Sequence, residues 1–319
     1  MPILKLLSKR QEAELVTAIQ GRAEIPLKFA YLGEGAYNWD RIARQRSEGK
    51  GINSAETALL KKKVGDFLAA VDTQKGINII DIGCGNGRPV LPILERLKEK
   101  NIHFTYVPLD ISNEMIELAS GTIKKRFPGT KCKPVQMDFE LGQFSDITYD
   151  LKDSGGTNLM LFLGSTLGNH SDLNRVLTNF RDSMTSRDFL IIGVELTNLA
   201  KVSSIVPHYT NTVVKKLLLE IPRELGISGS AYTYEALWNE KYSQIECRII
   251  FKKPVKVKIA GEHFTLEKNE NMLVARSIKF TEYTATKLFS DVGFRTELLT
   301  TAEDRGYLLT MIQPTRYSA

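Results

Sequence analysis

The segment Ile77-Asn78-Ile79-Ile80-Asp81-Ile82-Gly83-Cys84-Gly85-Asn86-Gly87 decides the fold. Its first six residues form a largely apolar run that meets a glycine turn, the pattern of a buried strand. Glycine at alternate positions from Gly83 to Gly87 lets backbone N–H groups approach a ligand closely where the next helix begins. That helix is expected to run to about Lys100, before a strand at His103–Leu109 and a helix at Asn113–Arg126. Further strands are expected at Lys133–Met137, Leu159–Leu163 and Phe189–Val194, with a helix at Asp172–Ser183 between the last two. Strands that alternate with helices imply a mostly parallel sheet covered on both faces.

Upstream of this core, helical spacing is expected over Gln11–Gln20 and again from Ser54 through Val71. Between them Tyr31-Leu32-Gly33-Glu34-Gly35-Ala36-Tyr37-Asn38-Trp39 reads as a loop rich in glycine and aromatics. After Glu195 the rhythm breaks. A helix over Asn211–Leu225 precedes antiparallel strands at Tyr242–Phe251, Val255–Ile259 and Phe264–Lys268. A helix at Thr284–Asp291, capped by Gly293, and strands near Arg295–Leu299 and Leu308–Ile312 then return to the edge of the main sheet. The expected class is therefore α/β, with a Rossmann-like sheet. An N-terminal helical cap and substrate loop occupies 1–56, the Rossmann-like domain 57–198, an inserted α+β substrate subdomain 199–275 and the returning strands 276–319.

Hydrophobic residues are 42% of the 319 and charged residues 25%, which excludes a disordered chain. Cys84, Cys132 and Cys247 form no CxxC pair, so neither a disulfide framework nor a metal site is expected, and a reducing cytosol fits best. No apolar stretch reaches the length of a membrane span. Net charge is +6, with basic clusters at Lys61-Lys62-Lys63, Lys124-Lys125-Arg126 and Lys252-Lys253. No aromatics interleave them, so they read as solvated faces and not as a nucleic-acid surface. Oligomeric state is not legible.

Two features sharpen the glycine turn. Asp81 precedes its first glycine, and Asp110 ends the next strand 23 residues after Gly87, placed to bind a ribose diol. The spacing alone would admit a nicotinamide cofactor, but GxGxG after an acidic residue resembles motif I of the class I methyltransferases, which implies S-adenosylmethionine. Met137-Asp138-Phe139 follows the third strand, where an acid can accept from the adenine amine and an aromatic can cover the ring. The expected cofactor contacts are Asp81, Gly83, Cys84, Gly85, Gly87, Arg88, Asp110, Ile111, Asp138, Phe139 and Gly164. The fourth strand ends in Leu163-Gly164-Ser165-Thr166-Leu167-Gly168-Asn169, without the Asn/Asp-Pro-Pro-Tyr/Phe sequence of many base and glutamine N-methyltransferases.

Over most of its length the chain resembles the histidine-specific methyltransferases, whose motif LGSTIGN is close to residues 163–169. Asn53-Ser54-Ala55-Glu56 is similar to that family's Thr-Glu helix start. The resemblance implies that Asn169 holds the α-carboxylate end of an amino-acid substrate and that Tyr209, in Val206-Pro207-His208-Tyr209, assists it. The family's loop tyrosine near the substrate amine maps to Tyr31 or Tyr37, with Tyr37 preferred. Tyr37, Asn169 and Tyr209 are thus the catalytic candidates, with Tyr31, Ala275 and Ser277 as further substrate contacts. The family's Glu-x-Ser-x-Lys segment, whose glutamate recognises the imidazole, stands here as Ala275-Arg276-Ser277-Ile278-Lys279. Alanine accepts no hydrogen bond, so the expected substrate is a free amino acid or derived amine other than histidine. The alternatives are histidine recognised through another residue, a peptide terminus, or a silent cofactor-binding module. Methyl transfer needs a neutral amine, and His170 and His208 are the histidines beside the proposed contacts.

Overall fold

The structure, a computed structural model, describes residues 2–48, 52–152, 156–197 and 202–315, the side chains at 45–48, 52–54 and 204 excepted. The boundary expected at 198/199 and the side chains of Asn53 and Ser54 lie outside the described residues. In chain order the elements begin with helices α1 (Lys9–Arg22), α2 (Glu34–Glu48) and α3 (Ile52–Ala69). Strand β1 (Ile77–Ile82), α4 (Leu91–Glu99), β2 (Phe104–Asp110) and α5 (Asn113–Arg126) follow. Next come β3 (Lys131–Cys132), β4 (Val135–Gln136), α6 (Ser145–Lys152), β5 (Thr157–Phe162), α7 (Leu173–Asp182) and β6 (Phe189–Glu195). The insertion holds α8 (Val202–Ile205), α9 (Thr212–Leu218), α10 (Glu220–Glu224), β7 (Tyr232–Asn239), β8 (Gln244–Phe251), β9 (Val255–Ile259), β10 (Glu262–Leu266) and β11 (Asn271–Ile278). The chain closes with α11 (Glu282–Asp291), β12 (Phe294–Thr301) and β13 (Tyr307–Pro314).

Two compact units result. One comprises Ala43–Thr197 and Phe280–Ala319, the other Met1–Ile42 and Asn198–Lys279. The first is built on a sheet in the order β12-β13-β6-β5-β1-β2-β3, with β4 also pairing β2. β1 pairs in parallel with both β2 and β5, and among the described strands of this sheet β13 alone runs against the rest, antiparallel to both β6 and β12. Every residue of β1 is buried, as its apolar run requires. The chain leaves β1 toward β2 and later returns to its other side as β5. That reversal makes the carboxyl end of β1 the switch point of the sheet, where such sheets bind ligands.

The second unit ties the N-terminal segment to the insertion through backbone and charge. Ile25 N–H donates to the Leu273 carbonyl and Leu273 N–H to that of Ala23, both at 2.8 Å, and Arg276 pairs with Glu24. The Glu224 carboxylate accepts the N–H groups of Ile3 and Leu4 at 2.7 and 2.8 Å. A three-stranded antiparallel sheet, β11-β8-β7, forms its frame, with β9 and β10 as a separate hairpin.

Several elements differ from the sequence reading, each for a local reason. The expected loop at Tyr31–Trp39 is a short 3-10 helix, Leu27–Tyr31, followed by α2. Gly33 provides the left-handed turn between them, at φ 54°. Gly35 lies inside the helix because the Ala30 carbonyl occupies the space a Cβ would need. The third strand splits into β3 and β4 around Pro134, which has no N–H to give a ladder. The single helix expected over Asn211–Leu225 breaks into α9 and α10, since Pro222 cannot donate to Leu218 and its ring crowds that carbonyl. β7, β11 and α6 are additions. Gly293, at φ 87° just beyond α11, closes that helix by donating to the Ser290 carbonyl at 3.0 Å.

Buried asparagines anchor α6. Asn78 of β1 donates to the Leu151 carbonyl at 3.1 Å and to Asn158 Oδ1 at 3.0 Å, while Asn158 of β5 donates to the Thr148 carbonyl at 2.9 Å. Replacing Asn158 with alanine removes one helix anchor and leaves Thr148 C=O and an Asn78 donor bereft. Denaturant unfolding of Asn158→Ala should show a loss of about 1–3 kcal/mol; unchanged stability would remove this network from the account of α6.

Candidate active site

The sheet unit gathers the expected cofactor residues at the carboxyl ends of β1, β2, β4 and β5. Gly83, Gly85 and Gly87 adopt φ values of 63°, 53° and 69°, left-handed conformations that side chains rarely take. Gly87 is also pressed against α5, where a Cβ would meet the Ala119 backbone at 3.0 Å. The turn is held to β2 by the Leu109 carbonyl, which accepts Gly83 N–H at 2.8 Å and Cys84 N–H at 3.3 Å. Arg88 is exposed, and its N–H donates to Asn86 Oδ1 at 3.2 Å.

Asp110 closes β2 and is tied at both oxygens. Ser112 N–H donates to Oδ1 at 3.0 Å and Gly85 N–H to Oδ2 at 3.4 Å, so this carboxylate joins the glycine turn to the start of α5. Ser112 is the N-cap of that helix, accepting from Met115 N–H, and Ile111 is buried beside it. Asp81 is buried in β1 and accepts from Tyr106 Oη at 2.7 Å. Burial pushes Asp81 up to about 7; Tyr106 opposes this, and the charges of Asp110 and Glu56 add to it. Burial likewise raises Asp110 to about 6 against the pull of the Ser112, Gly85 and Ile111 N–H groups. The Cys84 thiol, buried near both, is held well above its ordinary value and is no nucleophile.

Asp138 and Phe139 follow β4. The Asp138 carboxylate accepts Glu140 N–H at 3.1 Å. Phe139 packs against Phe162 at 5.4 Å and Phe180 at 5.7 Å, in van der Waals reach of the Gly83 position. His170 joins this aromatic cluster, with Nδ1 2.9 Å from Glu140 Oε1. His208, in the other unit, is exposed. After β5, Gly164 and Ser165 both adopt left-handed backbone, at φ 73° and 58°, before a 3-10 turn over Thr166–Asn169 that leaves Asn169 half-buried.

The remaining candidates lie in the second unit. Tyr31 packs edge-on against Trp39 at 6.4 Å, and Tyr37 on α2 is 44% exposed. Tyr209 lies near Ser277 through buried Lys279, whose Nζ is 3.0 Å from Ser277 Oγ and 3.4 Å from Tyr209 Oη. Tyr234 Oη donates to the Tyr209 carbonyl at 2.8 Å. Ala275 is buried in β11 opposite Cys247 of β8, whose other neighbour is Ala236 of β7. Sequence reasoning missed the partners Tyr106, Tyr307 and Glu140, because they meet their carboxylates or imidazole across strands and loops far apart in the chain.

A parallel sheet with one antiparallel strand, β13, inserted between β12 and β6, and an acid-preceded glycine turn at its switch point, define an S-adenosylmethionine-dependent methyltransferase of the Rossmann-like α/β class. The sequence profile of the family described as histidine-specific, S-adenosylmethionine-dependent methyltransferase matches residues 5–314, and the chain belongs to that family. It is 25% identical over 268 residues to the N-methyltransferase imqF of Aspergillus flavus, covering 79% of this chain and 71% of that one. It is 25% identical to the histidine N-alpha-methyltransferase of Mycobacterium tuberculosis, covering 80% and 79% of the two chains. With the 4-dimethylallyltryptophan N-methyltransferase ifgB of Penicillium roqueforti it shares 22% identity, over 84% and 83%.

A carboxyl group whose pKa is raised by folding binds its proton more tightly in the folded chain. The stability Asp81 contributes is therefore greatest below its unfolded value of about 4 and is lost as pH rises toward 7. Asp81→Asn keeps an acceptor for Tyr106 and cannot ionise. The cofactor-free variant should lose less stability than the wild type between pH 4.5 and 7.5, by on the order of 1–3 kcal/mol; parallel stability profiles would show that Asp81 is ionised throughout.

Proposed function

We propose that this enzyme transfers a methyl group from S-adenosylmethionine to the amino nitrogen of a free amino acid or amino-acid-derived small molecule, and that histidine is not its preferred acceptor. The surroundings of Ala275 carry the second half of this reading. Alternation along the strands places Ala275, Ser277, Ile245, Cys247, Ala236 and Trp238 on one face of the β11-β8-β7 sheet. None of these is a carboxylate. The charged residues of the same strands fall on the opposite face. Glu246 accepts from Asn239, Gln244 and Arg248, and Arg276 pairs with Glu24. An imidazole presented to the Ala275 face would meet only neutral acceptors such as Ser277 Oγ and forgo a charge-assisted hydrogen bond, at a cost of about 1–3 kcal/mol. The relatives' names agree with a family whose acceptors vary, since one is named for histidine and another for 4-dimethylallyltryptophan.

The residues present fit the cofactor. Three glycines hold the left-handed turn that follows β1, and two buried carboxylates with raised pKa values favour a cationic ligand over a neutral one. In this reading the Gly83–Gly87 turn and Arg88 hold the methionine end and Asp110 the ribose, with Ile111, Asp138 and Phe139 around the adenine and Gly164 near the methyl. When bound, the sulfonium supplies an electrophilic methyl group, so the protein needs no covalent nucleophile. Asn169 binds the substrate carboxylate, Tyr209 and Ser277 the rest of the amino acid, and Tyr37 or Tyr31 orients the amine lone pair. Alignment of nitrogen, methyl and sulfur then provides most of the acceleration.

A screen of labelled-methyl transfer to the twenty amino acids and related amines tests this. At least one acceptor other than histidine should exceed histidine in kcat/KM, and Ala275→Glu should raise kcat/KM for histidine by roughly 10-fold or more. Histidine as the best wild-type acceptor, with no gain in the folded variant, would contradict it.

A further inference from the structure

Glu56 is buried in the first turns of α3, far from any residue assigned above to the cofactor or the substrate in sequence, yet its carboxylate reaches the loop that follows β5. Glu56 Oε2 accepts the Gly164 N–H at 2.8 Å across 108 residues of chain, and accepts the Tyr307 hydroxyl of β13 as well. Gly193 of β6 makes room for this meeting, because a Cβ there would fall inside the contact radii of both Tyr307 Oη and Glu56 Oε2. Burial raises the Glu56 pKa, and the Tyr307 and Gly164 donors counter it.

The tethered loop is strained at its start and bonded within itself beyond. Gly164 and the non-glycine Ser165 are consecutive left-handed residues, a conformation that persists only when its surroundings enforce it. Thr166 Oγ1 then donates to the Leu163 carbonyl at 2.7 Å, Gly168 N–H to Ser165 at 3.2 Å and His170 N–H to Leu167 at 3.3 Å. A loop so cross-linked moves as one piece. Fixing Gly164 therefore fixes Asn169 five residues on.

We propose that Glu56 is a positioning residue for methyl transfer: by accepting the Gly164 N–H it holds the 163–170 loop, and with it Asn169, in the conformation that aligns the acceptor amine. Tyr307 orients the carboxylate for this task. The inference rests on the substrate role given to Asn169 under Proposed function. It assigns Glu56 no contact with substrate and none with cofactor.

Glu56→Ala, Glu56→Gln and Tyr307→Phe test it, in the full-length protein. Glu56→Ala should lower kcat by roughly 30-fold or more, while Glu56→Gln, which keeps an amide oxygen as acceptor, should retain at least about a third of it. S-adenosylmethionine affinity should stay within about threefold in both. Hydrogen exchange of the Gly164–His170 amides should accelerate by about tenfold in Glu56→Ala and be restored in Glu56→Gln, a readout that needs no substrate. Should Glu56→Ala fail to fold, Tyr307→Phe keeps the Gly164 bond and should lose roughly 3- to 10-fold in kcat at unchanged cofactor affinity. Cofactor affinity that falls in step with kcat would place the effect of Glu56 on the cofactor, through Gly164, and overturn the proposal, as would full activity in the alanine variant. Asn169→Ala separates this from the parent reading: normal amino-acid kinetics there, with the exchange effect of Glu56→Ala intact, would sink the role of Asn169 and leave the tether standing.

Discussion

Buried carboxylates at the carboxyl ends of β1 and β2 are the constraint on which the rest of this site depends. Asp81 and Asp110 lie where water is scarce, and burial holds each well above the ordinary carboxylate range. A fold keeps such groups only when something offsets the cost. Here Tyr106 and the N–H groups of Gly85 and Ser112 do part of that work. A cationic ligand would do the remainder, and S-adenosylmethionine carries a sulfonium. Beside these carboxylates stand three left-handed glycines between a buried strand and a helix.

The sheet unit presents these groups together because of its connectivity. β1 is central, flanked by β2 and β5, so residues at the ends of those strands come together at one sheet edge without being neighbours in the chain. The unit built from the N-terminal segment and the insertion carries a different chemistry. Its β11-β8-β7 sheet keeps ion pairs on one face and small, apolar or hydroxyl side chains on the other. Ala275 lies on that second face, opposite Cys247.

Legibility in the sequence followed the range of the interactions concerned. β1, its glycine turn, α5 and Asp110 were readable, since apolar period, turn residues and spacing are local signals. Gly33 and Gly35 misled, because glycine marks a loop in sequence whereas here one makes a turn and the other relieves a close carbonyl contact inside a helix. Pro134 and Pro222 each divided an element that apolar patterning alone had joined. The anchors of α6, the tyrosines on Asp81 and Glu56, and the pairing of Glu140 with His170 were not readable at all. They depend on strand register and loop placement, which no short window contains.

The claim that the raised carboxylates receive a cationic cofactor can be tested by titration calorimetry of S-adenosylmethionine binding near pH 6.5 in two buffers of different ionisation enthalpy. A positive ligand stabilises ionised Asp81 and Asp110, so binding should release a measurable part of a proton, roughly half or more, and S-adenosylhomocysteine, lacking the sulfonium, should release less. Equal heats in both buffers, with no proton released by either ligand, would show that the cofactor does not engage these carboxylates and would contradict the account.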